Sequence, residues 1–486
     1  MSRPRALVWF RTDLRLSDNP ALSAAARAHE VVPVFIYSPE EEGDAAPGAA
    51  SRFWLHASLA KLTAALASRG LRLILRAGPA LAALERLVAE TGAQAVFWNR
   101  RYEPEIVARD TRVKDALTRR GLTAESHNGA LLFEPWEVQT SAGKPYAVFS
   151  PFWRACLAKG VPPLPAPAPS FLSGPETWPQ SLPLDAFGLQ PTPDWASPFL
   201  RMFEPGEDGA HARLQRFLQG GLGHYAEGRD RPDLEGVSRL SPHLHFGELS
   251  PRAAFHAARQ AGEAGAVAAP NAVKFTSELG WREFAHHLLF HFPATVHEPL
   301  NPAFTRFPWA EDERALGAWQ KGKTGYPLVD AGMRELWQTG FMHNRVRMVV
   351  ASFLVKHLLL PWQRGAAWFW DTLLDADLAN NTLGWQWVAG CGADAAPFFR
   401  IFNPVMQADK FDPRGAYIRR FVPELAKLPD KWLARPWQAE PHVLRSAGVT
   451  LGTSYPHPLV DHAFARERAL AAFAELKSSA PSPARP

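Results

Sequence analysis

Two hydrophobic rhythms alternate along the first third of the chain. Short apolar runs at residues 6–10, 31–37, 71–75 and 95–98 are rich in valine, isoleucine and aromatic residues and predict strands. Between them, residues 19–29, 52–69, 80–90 and 104–120 carry helical patterns, the last three closed by Gly70, Gly92 and Gly121. Nearly continuous apolar strands separated by helices predict a parallel sheet covered on both faces, a Rossmann-like α/β domain over residues 1–135. No G-x-G-x-x-G follows the first run, so nothing there points to a nicotinamide dinucleotide. Residues 136–198 read as a connection; the stretch 161–198 holds eleven of the chain's 44 prolines, with Phe171, Trp178, Phe187 and Trp195 interspersed. From 199 to 477 the pattern is helical, clearest at 251–260, 272–290, 326–339, 344–360 and 365–374, and predicts an all-α domain. Residues 478–486 are polar and proline-rich, the pattern of a disordered tail.

Composition narrows the classes. Apolar residues make up 47% and charged residues 21%, ordinary values for a globular protein. The net charge of +5 is compatible with a polyanionic partner without requiring one. Two cysteines, Cys156 and Cys391, exclude a disulfide framework, a four-cysteine zinc site and a cysteine-held iron–sulfur cluster. The apolar run around 349–360 is broken by Lys356 and His357, too short to span a bilayer. The expected chain has no membrane segment and a cytoplasmic location. Eighteen tryptophans are out of the ordinary, and eleven of them fall between Trp281 and Trp437. Most serve a large aromatic core on the plainest reading; some could stack on a planar ligand or carry electrons.

Four constellations carry candidate chemistry. Arg11, Asp13, Arg15, Asp18 and Asn19 cluster where the first strand ends, beyond the carboxyl edge of the sheet. Ser238 and Ser241 stand in a turn before a helix and could bind phosphate, with His243 and His245 spaced for one face of a strand. Glu278, Trp281 and Arg282 fall at i, i+3 and i+4, and Asn344, Arg347 and Met348 repeat that spacing, which gives each helix a mixed polar and apolar face. Asp375, Asp377, Asn380, Asn381, Trp385 and Trp387 crowd two carboxylates, two amides and two indoles into a short stretch. His287 and His291 share a helix face, but no H-E-x-x-H arrangement accompanies them, and no metal site is expected.

Taken in order and spacing, these segments resemble the motifs of the photolyase/cryptochrome family of flavoproteins, over residues 9–19, 238–242, 278–284, 322–333, 342–348 and 375–404. The resemblance covers the whole chain. It implies FAD in the helical domain and a second, light-harvesting pigment near the α/β domain. Tyr225, Arg229, Ser238, Leu240 and Ser241 look like its phosphate and ribose contacts, and Arg347, Asp375, Asp377 and Asn381 like those around the isoalloxazine ring. Trp385, Trp362 and Trp309 fall where the family has its tryptophan relay. The resemblance further implies a cyclobutane pyrimidine dimer flipped from DNA into a cavity, with Glu278, Asn344, Met348, Trp281 and Trp387 as its catalytic surroundings and Arg282, Arg345, Arg400 and Lys410 as DNA contacts.

Residues 38–43, 51–55 and 382–385 resemble the class III bacterial photolyases, which implies 5,10-methenyltetrahydrofolate as antenna, with Glu42 as a candidate contact and deazaflavin or FMN as alternatives. Asn381 stands where plant cryptochromes carry aspartate, which favours a repair enzyme over a photoreceptor. Enzymes that repair (6-4) photoproducts place histidines where this chain has Asn344 and Met348. The partner expected is dimer-containing DNA, bound by a monomer without an obligate protein partner.

Overall fold

The computed structural model describes residues 3–395 and 399–478. Most of the tail expected to be disordered, 479–486, therefore lies outside the described residues, as do 396–398 within the last family-like segment. The chain divides into two compact units that are interleaved along the sequence. One is built from the stretches up to Gly223, Ser238–Pro293 and Leu374–Ala379; the other from His224–Val237, Ala294–Leu373 and the chain from Asn380 onward.

The first unit is organised on a five-stranded, all-parallel sheet of order β3-β2-β1-β4-β5. The strands are β1 (Arg5–Phe10), β2 (Glu30–Tyr37), β3 (Ile74–Ala77), β4 (Ala95–Asn99) and β5 (Thr123–His127). Four helices, α1 (Pro20–Ala28), α2 (Ala49–Ala67), α3 (Ala80–Thr91) and α4 (Pro104–Arg119), alternate with them. β1 and β4 are apolar at nearly every position because both faces are covered. Trp9 lies opposite Val34 on one side and Trp98 on the other, each within the core. Two strand expectations need correction. β3 starts at Ile74 rather than Leu71, and β5 was missed because its residues, Thr-Ala-Glu-Ser-His, lie on an edge and are not buried.

The charged cluster beyond β1 is a structural lock. Arg15 is 1% exposed and donates to four carbonyls, those of Ser17, Asp18, Gly129 and Gly247, at 2.7–3.0 Å. Asn19 caps α1 by accepting from the Leu22 amide, and Asn99 bridges Asp13 and Asn19 at 2.6 and 2.8 Å. A long helix, Ala269–His291, packs in the same unit against the helices Phe149–Ala158 and Pro251–Glu263. Its Gly280 admits the Trp153 indole, whose ring would lie 2.6 Å from a Cβ there.

The second unit is helical. Gly332, on Pro327–Thr339, lets the Asn344–Ser352 helix approach: a Cβ would meet Val346 Cγ1 at 2.4 Å. The single helix expected over 344–360 is instead an α-helix to Ser352 followed by a π-helical turn, Phe353–His357, and a left-handed Leu359. Trp362–Thr372 then begins with its tryptophan buried.

Candidate active site

In the first unit the segment Leu374–Ala379 brings Asp377 to two histidines. Oδ2 of Asp377 lies 3.5 Å from His286 Nε2 and 3.7 Å from His245 Nδ1. Burial alone would raise the Asp377 pKa; the two histidines outweigh it and hold the carboxyl well below its ordinary range. For His286, burial pushes the pKa down and Asp377 pushes it up, with a net rise. These residues line a small polar cavity together with Arg15, Arg101, Glu103 and Arg282. The Arg101–Glu103 pair is internal: burial would raise the Glu103 pKa, but Arg101, 2.7 Å away, takes it down to about 2.

Glu278, Trp281 and Arg282 share a turn of Ala269–His291 as expected, but the three side chains have different fates. Trp281 stacks on Phe149, with centroids 3.9 Å apart and planes 11° from parallel. Glu278 pairs with Lys274, four residues earlier, at 3.3 Å. Arg282, expected to contact DNA, lines the cavity described above. Its side chain is 12% exposed and donates to the Ala130 carbonyl at 2.8 Å, so it faces the interior cavity. Glu42 pairs with Arg101 at 3.1 Å and Arg109 at 3.7 Å.

Ser238, Leu240 and Ser241 flank Arg239, whose φ of +54° turns the backbone just before the short helix Ser241–His245. The strand spacing read for His243 and His245 is thus overturned, because both lie on that helix. His243 is a core residue, 2.5 Å from Glu248, which also accepts from Trp54, Ser58 and the Gly206 amide. Asp375 is 8% exposed. His287 and His291 both contact the Pro135 carbonyl, and burial takes the His287 pKa down to about 4.

The second unit carries the remaining candidates. Tyr225 is buried, and Arg229 follows it where the backbone of Gly228 meets that of Gly236; a Cβ on Gly236 would sit 2.5 Å from the Gly228 carbonyl oxygen. On Asn344–Ser352, Asn344 is exposed and Arg347 and Met348 are partly so, while Val346, Val349 and Val350 are buried, which confirms the mixed face. Arg347 donates from Nε to the Met342 carbonyl at 2.7 Å. Asn381 donates to the Ala366 carbonyl at 3.0 Å. Arg345 pairs with Asp230 at 2.7 Å and lies over the Phe411 ring, whereas Arg400 and Lys410 are exposed. Trp387 donates to the Asp394 carbonyl at 3.2 Å and has Arg400 over its ring.

The three relay candidates all lie in this unit. Trp385 is 2% exposed and rests on Gly365, where a Cβ would come within 2.0 Å of its ring. Gly365 stands one helical turn from Trp362 on the same face. The amide of Ala310, next to the half-buried Trp309, donates to the Leu359 carbonyl at 2.8 Å, just ahead of Trp362.

His286 escaped the sequence reading, and His245 was noted there only for its spacing to His243. The signal was present: His286 stands at i+4 from Arg282 and i+8 from Glu278, on the face already singled out, but its polar partner is distant in sequence.

Two family descriptions match the chain: "DNA photolyase" over residues 6–169 and "FAD binding domain of DNA photolyase" over 275–475. The deoxyribodipyrimidine photo-lyase of Agrobacterium fabrum (strain C58) is 52% identical over 476 residues, 97% of this chain and 98% of that protein. Cryptochrome-1 of Arabidopsis thaliana is 44% identical over 471 residues, 95% of this chain and 69% of its own length. Among solved structures, a bacterial class III photolyase from Agrobacterium tumefaciens matches with a TM-score of 0.95 at 50% identity, covering 99% of both chains.

Proposed function

This chain belongs to the photolyase/cryptochrome family, and from that premise we propose that it repairs cyclobutane pyrimidine dimers in DNA under blue light. The observation that carries the reading is the 52% identity, over nearly the full length of both proteins, to one named for that activity.

FAD is the cofactor, and the chemistry of the available donors fits it. The buried, ionised Asp377 can accept from an imide N–H, Asn381 offers an amide, and Ser238, Ser241 and Arg229 offer hydroxyls and a cation to phosphates. Held by these residues, reduced FAD would supply light-driven one-electron chemistry, with no net redox change in the repair. The protein's own work is to bind and orient. Trp281 and Trp387 offer aromatic faces for an extruded dimer, Glu278 a polar contact for its carbonyl groups, and Asn344 and Met348 a mixed polar and apolar surface on their helix. Arg400 and Lys410 contact DNA phosphates, as does Arg345 where it gives up Asp230. Trp385, Trp362 and Trp309 pass an electron inward, since indole is oxidisable and the first is buried while the last reaches solvent.

The class III likeness supports 5,10-methenyltetrahydrofolate as antenna, which pigment extraction with a near-ultraviolet absorption band tests. No described helix is long and apolar enough to cross a membrane. A monomer acting in the cytoplasm is the simplest arrangement for docking on a duplex. The central test uses chemically pre-reduced holoprotein and ultraviolet-irradiated oligothymidine. Blue light should restore undamaged thymines while darkness should not. No restoration by a protein that holds reduced FAD would move the chain to the photoreceptor reading.

A further inference from the structure

Asp377 is buried, ionised and faced by two imidazoles. The tautomer of His286 follows from its partners. Nδ1 lies 2.9 Å from the carbonyl oxygen of Arg282, which can only accept, so Nδ1 carries a proton. Nε2 faces the Asp377 carboxylate at 3.5 Å. A neutral ring protonated on Nδ1 would aim an Nε2 lone pair at that anion. The contact is attractive only if Nε2 is protonated as well. His286 is 8% exposed, and its ring meets Tyr102 edge-on at 6.3 Å, so water does little to screen the pair.

We propose that His286 is a positioning residue, doubly protonated, that pins the Asp377 carboxylate and thereby sets the reduction potential of the flavin held against Asp377; this rests on the flavin reading above. A bare carboxylate next to the ring would oppose the negative charge that reduction adds. A paired one presents an acceptor of fixed direction and little net charge. The other cations facing the pair are already committed, and two carboxylates also act on it, Glu103 on Asp377 and Glu283 on His286. Arg15 is spent on four carbonyls, Arg282 on Ala130, and Arg101 on Glu103 and Glu42. His245, 3.7 Å from the same oxygen, supplies a weaker second contact. Burial works against charge on both partners, and their mutual attraction prevails, lifting His286 and lowering Asp377.

The test is a redox titration of FAD in the holoprotein, for wild type, His286→Gln, Asp377→Asn and the double variant. Glutamine keeps a donor and removes the charge. His286→Gln should disfavour reduction about tenfold, which is about 59 mV for one electron. In the Asp377→Asn background the same change should shift the equilibrium less than twofold, because His286 acts through Asp377. An unchanged potential in His286→Gln, with FAD still bound, overturns the proposal, as does an equal shift in both backgrounds. Should His286→Gln fail to fold, nitrogen-15 NMR of histidine-labelled wild-type holoprotein decides. One buried imidazole with both nitrogens protonated at pH 7.5 is expected, assigned to His286 by its loss in His286→Asn or by proximity to Arg282. Absence of any buried imidazolium overturns it. Neither readout involves repair, so a protein that binds FAD without repairing DNA would defeat the functional reading alone.

Discussion

Replacing Trp385 by phenylalanine keeps an aromatic plug against Gly365 but makes the ring far harder to oxidise. Photoreduction of oxidised FAD in Trp385→Phe should slow at least tenfold, measured by the loss of flavin absorption under blue light, with FAD content unchanged. Repair by pre-reduced protein should survive; photoreduction at the wild-type rate would exclude the path through Trp362 and Trp309. Glu278 offers a second residue-scale test. Its partner is Lys274 at 3.3 Å rather than Arg282, an i,i+4 pair of the kind worth about 0.3–0.5 kcal/mol. Glu278→Ala should therefore lower the number of dimers repaired per absorbed photon and barely move the melting temperature. Intact yield with lowered melting would make Glu278 a helix-stabilising residue only. Residue types and helix faces were legible in the sequence at this scale, because i, i+3 and i+4 spacing places side chains on one face whatever surrounds it. Their destinations were not. Arg282 shares a face with Glu278, yet turns to a carbonyl 152 positions away in sequence.

The π-helical turn Phe353–His357 shows what periodicity misses at the scale of elements. Residues 344–360 are apolar on a nearly constant period, and the extra residue of a π turn leaves little trace in so uniform a run. β5 was hidden for the opposite reason, since an edge strand need not bury a face. The turn also carries a titration. His357, fully buried, shares a 2.8 Å ring-to-ring hydrogen bond with His462 on the helix His462–Ser478. Burial, reinforced by His462, takes its pKa down to about 3. In the unfolded chain histidine titrates near 6.5, so below that value the unfolded state gains a proton that the folded state does not. The stabilisation is complete above pH 6.5 and declines as the pH falls toward 3, by about 2 kcal/mol at pH 5. Thermal melts at pH 7.5 and 5 should show the loss. His357→Phe should show a shallower one; an equally steep decline would assign the effect to other groups, of which His287 is the first to examine.

At the scale of the whole molecule, the charge balance and the family motifs were legible, but the path of the chain between compact units was not. A net charge of +5 predicts little by itself; the exposed Arg400 and Lys410 make it testable. Arg400→Ala and Lys410→Ala should each weaken binding to irradiated DNA about tenfold and reduce the salt dependence by about one phosphate contact. Binding titrations at several salt concentrations check this, and an unchanged slope in both would place the DNA face elsewhere. Composition and motif order could not reveal that the α/β unit claims a strip as late as Leu374–Ala379. That strip matters for biogenesis. A ribosome delivers the sheet and the helix bearing His286 well before it delivers Asp377, because residues 294–373 come between. At ~5–20 residues per second the interval is on the order of ten seconds, during which His286 stands in a half-built interior without its counter-ion. Until Asp377 emerges, that imidazole has reason to shed its charge. The pair proposed for the finished unit is therefore assembled from two pieces of chain made seconds apart, the later of them bearing the carboxylate.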